Sequence, residues 1–198
     1  MKSKGLIILF LIGFSVSCTA PAQRLRQSDL KILRPGATSL VVVHSRTGNT
    51  AAVGLQISDA LHSDYIRLKA PEGSGDNYMN APNRNKEASV EPKNVDMKKY
   101  GIIFLGSPIW YWHANAFIYT FIRNNDFTGK RIVLFYTYEG GISDDAVDEW
   151  KSLVHKKGGK VIDVVSINRK DFKTSESLLA EIKSIIEKHK SVWSASIK

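Results

Sequence analysis

Short runs of β-branched and aromatic residues recur along this chain with helical patterns between them, and that alternation constrains the fold more than any other feature. Leu40–Val43, Gly101–Gly106, Arg131–Tyr136 and Lys160–Val165 are nearly continuous apolar runs, and Tyr65–Lys69 is a shorter fifth. Unbroken apolar runs mark strands buried on both faces, as in a parallel sheet with helices on either side. The intervening segments show helical spacing: Val53, Ile57, Ala60 and Leu61 within Thr50–Leu61, a helix over Phe117–Asn125, Ala146, Val147, Trp150, Leu153 and Val154 within Asp144–Lys157, and Leu178, Leu179, Ile182, Ile185 and Ile186 within Ser175–Lys190. Thr50 is a suitable cap for the first of these helices. Strand and helix in regular alternation predict an α/β fold, a doubly wound five-stranded parallel sheet with helices on both faces.

A length of 198 residues with 43% hydrophobic and 24% charged residues suits one folded domain, here residues 39–190. What precedes it reads differently. Met1–Lys4 is a basic head, Gly5–Phe14 an apolar run, and small residues lead to Cys18, the three-part layout of a secretory signal over residues 1–17. The run is shorter than the ~20 residues a spanning helix needs, which favours export over a permanent transmembrane anchor. Ser15-Val16-Ser17-Cys18 resembles a bacterial lipobox, with Ser15 where an aliphatic residue is usual, so Cys18 is the expected lipidation site. The chain is then expected as a membrane-anchored lipoprotein of the bacterial cell envelope, or, if Cys18 is incidental, as a soluble periplasmic or secreted protein. Residues 18–38 read as a tether and 191–198 as a short frayed tail, with Trp193 packing back. Ala70–Asp96, rich in Gly, Pro, Asn and Lys, reads as a long irregular insertion, closed by a short helical turn at Met97–Tyr100.

The formal charge of +9 favours anionic lipid headgroups or acidic partners, or is simply a solvated basic surface. Nucleic acid is disfavoured as a partner by the export signal and by the lack of an aromatic-rich basic stripe. With one cysteine, the fold must be held by its core rather than by an internal disulfide. No cluster has metal-ligand spacing and no Ser/His/Asp set is identifiable. His44, at the end of the first strand, reads as a satisfied core or crevice residue, and His113 as a loop histidine near the binding loops.

Ser45-Arg46-Thr47-Gly48-Asn49-Thr50 follows the first strand and opens the first helix. Amides at a helix N-terminus lack internal partners and face the positive end of the dipole, so they can hold a dianionic phosphate. Gly48 admits close approach, the hydroxyls of Ser45, Thr47 and Thr50 add donors, and Arg46 adds charge at the rim. The segment lacks the Gly-Lys-Ser/Thr of a Walker loop and the Gly-x-Gly-x-x-Gly of dinucleotide folds. In a sheet of order 2-1-3-4-5, the first and third strands flank the switch point where ligands bind beyond the strands' C-terminal ends. Gly106-Ser107-Pro108-Ile109-Trp110-Tyr111-Trp112, read as a loop after the third strand, converges on that point, and Thr137-Tyr138-Glu139-Gly140-Gly141 follows the fourth strand at the same edge. Aromatic residues flanking a crevice suit a flat ring system.

These motifs, together with Phe117-x-x-x-Thr120-Phe121 and Asp126-Phe127-Thr128-Gly129-Lys130, resemble the flavodoxin family, notably its short single-domain bacterial branch, over Ser39 to about Lys190. The resemblance implies flavin mononucleotide (FMN), its phosphate on Ser45–Thr50 and its ring between Trp110 and Tyr138. Backbone near Ile109–Tyr111 and Glu139–Gly141 would meet the ring's polar edge. Relatives usually place Gly, and later Pro, after the paired aromatics, where this chain has Trp112 and Asn115, and small residues where it has Tyr138 and Glu139. A carboxylate beside the ring would disfavour an anionic reduced flavin and lower its potential; alternatively Glu139 points to solvent. The implied function is electron transfer with redox partner proteins at the cell envelope. Two alternatives are an FMN-dependent NAD(P)H:quinone-type oxidoreductase with a quinone-like acceptor, and a flavin-free partner-binding scaffold.

Overall fold

A computed structural model describes residues 31–70, 88–171 and 174–194. The expected leader, Cys18 and the middle of the insertion lie outside the described residues. In chain order the elements are β1 (Lys31–Ile32), β2 (Ser39–His44), α1 (Asn49–Leu61), β3 (Asp64–Leu68), β4 (Ile102–Trp110), β5 (His113–Ala114), α2 (Ala116–Asn124), β6 (Arg131–Tyr138), α3 (Ala146–Lys156), β7 (Lys160–Asn168) and α4 (Ser175–Ser194).

The sheet runs β1-β3-β2-β4-β6-β7, with β5 paired to β4. Its five long strands are parallel to their neighbours and lie in the expected order 2-1-3-4-5. Two short antiparallel strands bring the total to seven rather than five. Neither extra strand has a period to read, since each is two residues long. One of them, Lys31–Ile32, lies within the segment read as a tether and pairs with Ile66 and Tyr65.

Every residue of β2 is buried because the sheet is covered on both faces. Leu40 and Val42 join Phe117, Phe121, Trp150 and Val154 on one side, while Val41 and Val43 join Ile57, Leu178, Ile182 and Trp193 on the other. Fully burying side chains of this size contributes about 1.5–3 kcal/mol each, the main force holding the layers. Close packing also fixes Gly106: a Cβ there would lie 2.1 Å from Cζ of Phe135 on the adjacent strand.

Several boundaries differ from expectation in ways that matter for function. Three of the parallel strands extend well past their apolar runs at their C-terminal ends, β4 to Trp110, β6 to Tyr138 and β7 to Asn168. Thr50 is not the cap of α1; Gly48 is, at φ 98°. Met97–Tyr100 closes by a turn, with the Tyr100 N–H donating to the Met97 carbonyl at 3.1 Å, and not by a helix. The expected frayed tail is helical through Ser194. Trp193 is fully buried against Phe104, their ring centroids 5.1 Å apart, and its indole N–H donates to Asp163 Oδ2 at 2.8 Å.

Candidate functional site

β2 ends at the buried His44, and the chain turns through Ser45–Gly48 into α1. The left-handed Gly48 makes the turn sharp enough to aim the first amides of α1 outward, where they have no intrahelical acceptor. The Ser45 hydroxyl closes the loop internally by accepting from the Gly48 N–H at 3.2 Å. From outside the loop, the Arg67 guanidinium donates to the Ser45 carbonyl at 2.7 Å. Thr50 Oγ1 lies 2.8 Å from Thr137 Oγ1, tying the start of α1 to the end of β6. Arg46 and Thr47 are exposed at the rim.

The aromatic segment is not the loop expected from sequence. β4 continues through Pro108, Ile109 and Trp110 and folds back as a hairpin in which Ile109 pairs with Ala114 and Trp110 with His113. The ladder to β2 ends at Val43 and Gly106 and that to β6 at Pro108 and Thr137, so the end of β4 is free to pair with the returning chain. Tyr111 and Trp112 form the two-residue tip at φ 48° and 67°, the backbone signs of a primed hairpin turn, which Asn and Gly normally occupy. Left-handed backbone costs bulky residues roughly 1–2 kcal/mol each. Both tip side chains are exposed. The Trp112 carbonyl accepts from the Ser143 N–H at 3.0 Å, which joins the tip to the segment after β6.

Beneath the hairpin lies a buried polar group that fixes it. The Asn115 Oδ1 accepts from the amides of Phe117 and Ile118 and caps α2, its N–H donates to Ser107 Oγ, and its Nδ2 lies 2.8 Å from Nδ1 of His44. Because Oδ1 is engaged by two amides, Nδ2 donates and His44 accepts, which places the imidazole proton on Nε2. The imidazole stacks on Phe117 at 4.4 Å and meets Trp110 edge-on at 5.6 Å. Burial, with the Arg67 charge adding to it, pushes this imidazole down to about 3, so it is neutral at physiological pH. His44 is thus the buried residue expected.

Fourteen of the fifteen residues expected to bind the cofactor line two adjoining depressions. One, of about 260 Å³, is walled by Ser45, Arg46, Thr47, Asn49, Thr50, Pro108, Ile109, Trp110, Thr137, Tyr138, Glu139 and Gly140. The other, of about 560 Å³, shares Arg46, Ile109, Trp110 and Gly140 and adds Tyr111, Trp112 and Gly141. Gly48 is the exception, acting through its backbone. Both volumes together fall in the range of cofactor sites. Glu139 is exposed yet lines the smaller depression. A larger cleft of about 720 Å³ borders β1, β3 and residues 91–100 and holds the ion pair of Lys69 with Glu91.

Sequence reasoning missed Arg169, which follows β7 and lines the smaller depression. The alternation Val165, Ile167 would have carried the fifth strand as far as Asn168 and placed Arg169 at the ligand edge. Its Nε and Nη1 are buried without a hydrogen-bond partner. A buried cationic nitrogen pair without an acceptor is costly, and a phosphate at the adjacent helix N-terminus would satisfy it. Aromatic walls and the amides at the start of α1 suit a flat ring that carries a phosphate.

The family model described as Flavodoxin matches residues 38–175. No curated protein matches the chain significantly. Among solved structures, a protein of Bacteroides uniformis assigned as a flavoprotein superposes with a TM-score of 0.58 at 23% identity, covering 75% of this chain and 99% of that one. A flavoprotein of Lactobacillus acidophilus in complex with FMN gives a TM-score of 0.54 at 22% identity, covering 66% of this chain and 93% of that one. At these identities the superpositions show a shared fold, while the family match spans more than half of the chain and includes all three motif segments. This chain belongs to the flavodoxin family, and FMN is its cofactor.

Proposed function

We propose that this chain is an electron carrier of the cell envelope, accepting and passing electrons through FMN to redox partner proteins. The observation that carries the reading is the convergence of the Ser45–Thr50 loop, the Trp110 hairpin and the Thr137–Gly141 segment on one crevice at the switch point of the sheet. FMN supplies one- and two-electron redox chemistry when bound. The protein's own part is to hold and shield. The α1 amides and the Thr50 and Thr137 hydroxyls receive the phosphate end. Trp110 and Tyr138 present aromatic surface to a flat ring, with Trp110 held by the neutral His44. The exposed tip at Tyr111 and Trp112 stands where a partner protein would approach.

Envelope location rests on the leader-like residues 1–17 and on Cys18. With no twin Arg near the N-terminus, the chain would be exported unfolded and would acquire FMN after translocation. Fractionation of cells making the full chain or Cys18→Ala is expected to find the first with membranes and the second in the soluble envelope fraction. Full-length unprocessed chain in the cytosol would overturn the location.

A second reading, an FMN-dependent NAD(P)H:quinone-type oxidoreductase, is favoured by the 560 Å³ aromatic depression beside the crevice, which has room for a flat acceptor. Steady-state turnover separates the two. The carrier reading expects slow NADPH-to-quinone reduction by the purified flavoprotein and rapid electron exchange with a flavoprotein reductase; fast NADPH turnover without a partner would favour the reductase.

A further inference from the structure

Three arginines stand around the Ser45–Thr50 loop, and the structure uses them differently. Arg67 is spent on the Ser45 carbonyl, behind the loop. Arg46 lies within the loop and is exposed at the rim. Arg169 lines the smaller depression from the end of β7. It starts a single 3-10 turn, Arg169–Asp171, directly after β7, and the Asn168 side chain fixes that turn by accepting from the Lys170 N–H at 3.1 Å. The pairing of Asn168 with Tyr138 sets the height of Arg169 along the sheet, level with the Thr137–Glu139 wall.

Its Nε and Nη1 are both out of solvent and both lack an acceptor. Among the described residues no carboxylate is ion-paired with it. Guanidinium nitrogens are satisfied best by two oxygens held side by side, as on a carboxylate or a phosphate. Thr50, tied to Thr137, puts the α1 N-terminus on the same depression that Arg169 lines, so an anion on the α1 amides has the guanidinium as its neighbour.

We propose that Arg169 is the charge clamp for the cofactor's phosphate, and that it makes this chain selective for the phosphorylated flavin over riboflavin. The inference rests on the FMN reading of the crevice and adds to it the residue that reads the phosphate. Amides and hydroxyls bind a phosphate by geometry; a partly buried guanidinium with two nitrogens out of solvent adds a charge-assisted pair that riboflavin, with a neutral hydroxyl at that position, cannot form. Arg169 is a binding residue for the phosphate end and takes no part in electron transfer.

Flavin titration of the full chain, purified in mild detergent and stripped of flavin, tests this, with FMN and riboflavin measured separately by fluorescence quenching. The wild-type chain is expected to prefer FMN strongly. Arg169→Gln is expected to weaken FMN binding by about 10- to 100-fold, the scale of a lost charge-assisted pair, and to leave riboflavin affinity within about threefold. Arg169→Lys is expected to fall between, because an ammonium keeps the charge and loses the fork. Inorganic phosphate is the second probe: it should raise the melting temperature of the flavin-free wild-type chain and of Arg169→Lys, and not that of Arg169→Gln. A circular dichroism melt of each variant establishes that it folds, and Arg169→Lys carries the test if Arg169→Gln does not. Equal losses for FMN and riboflavin, or no change in either, would overturn the clamp while leaving the FMN reading intact. A wild-type chain that binds neither flavin would overturn both.

Discussion

His44 is 1% exposed, neutral, and held between Phe117, Trp110 and Asn115 at the point where the sheet gives way to the crevice. Its pKa lies below that of an unfolded-chain histidine, so the unfolded state binds a proton that the folded state refuses. The stability tied to this residue is therefore fully present above pH 6.5 and is lost as pH falls toward about 3. The slope is about 1.4 kcal/mol per pH unit, the value for one proton. Urea unfolding at pH 7, 6 and 5 should show a difference between wild type and His44→Asn that shrinks as the pH drops; parallel curves would contradict the assignment. Trp112 makes the opposite kind of residue-level trade. With φ at 67° it sits where Gly is favoured, so Trp112→Gly should relieve backbone strain of order 1 kcal/mol. The same change strips an aromatic wall from the larger depression. Expected together are an unchanged or higher melting temperature and severalfold weaker FMN binding; a fall in stability with unaltered binding would reverse the account.

At the scale of elements, the hairpin depends on packing from below. Gly106 admits Phe135, and Gly106→Ala would drive a methyl into that ring from 2.1 Å, at a cost of about 1–3 kcal/mol read as a lower melting temperature. Phe135→Leu in the same chain should recover part of it, since the ring is the obstacle; an additive loss would show that the backbone is. Asn115 caps α2 and is partner to His44 and Ser107, so Asn115→Ala should cost more than the about 1 kcal/mol of a simple cap. Much of this level was legible in the sequence. Continuous apolar runs such as Leu40–Val43 announce a buried strand, because only a strand covered on both faces can be apolar at every position. What could not be read were the strand ends. Pro108 and Thr137 look like loop residues by composition, yet they pair with each other at the rim of the sheet, and Thr137 is paired on its other side with Ile167. For that reason the aromatic segment was expected as a loop and proved to be a hairpin, and Arg169 was overlooked.

Across the whole molecule, the last turn of α4 is part of the fold. Trp193 closes the face formed by β4 and β7 and donates to Asp163, which also lies 2.6 Å from His189 Nδ1. Trp193→Ala is expected to cost about 3–5 kcal/mol, the range for emptying a buried aromatic site, read as an early urea midpoint. A change below 1 kcal/mol would mean that the end of the helix is dispensable. Trp193 packs back as expected, but composition near Ser191 gives no hint that the helix itself runs on through Ser194, since polar residues there look the same whether helical or frayed. The crevice was more visible from afar. Three motifs in order, at the C-terminal ends of the first, third and fourth parallel strands, define a switch-point site whatever their local turns, which is why fourteen expected residues line it although several elements end later than their apolar runs.

The central claim is that this crevice holds FMN, and the absorbance spectrum of the full chain purified in mild detergent tests it most directly. The account predicts a yellow protein with flavin bands, whose extracted cofactor is FMN at about one per chain and whose flavin fluorescence is quenched when bound against Trp110 and Tyr138. A colourless protein that neither carries nor takes up FMN on titration would contradict it.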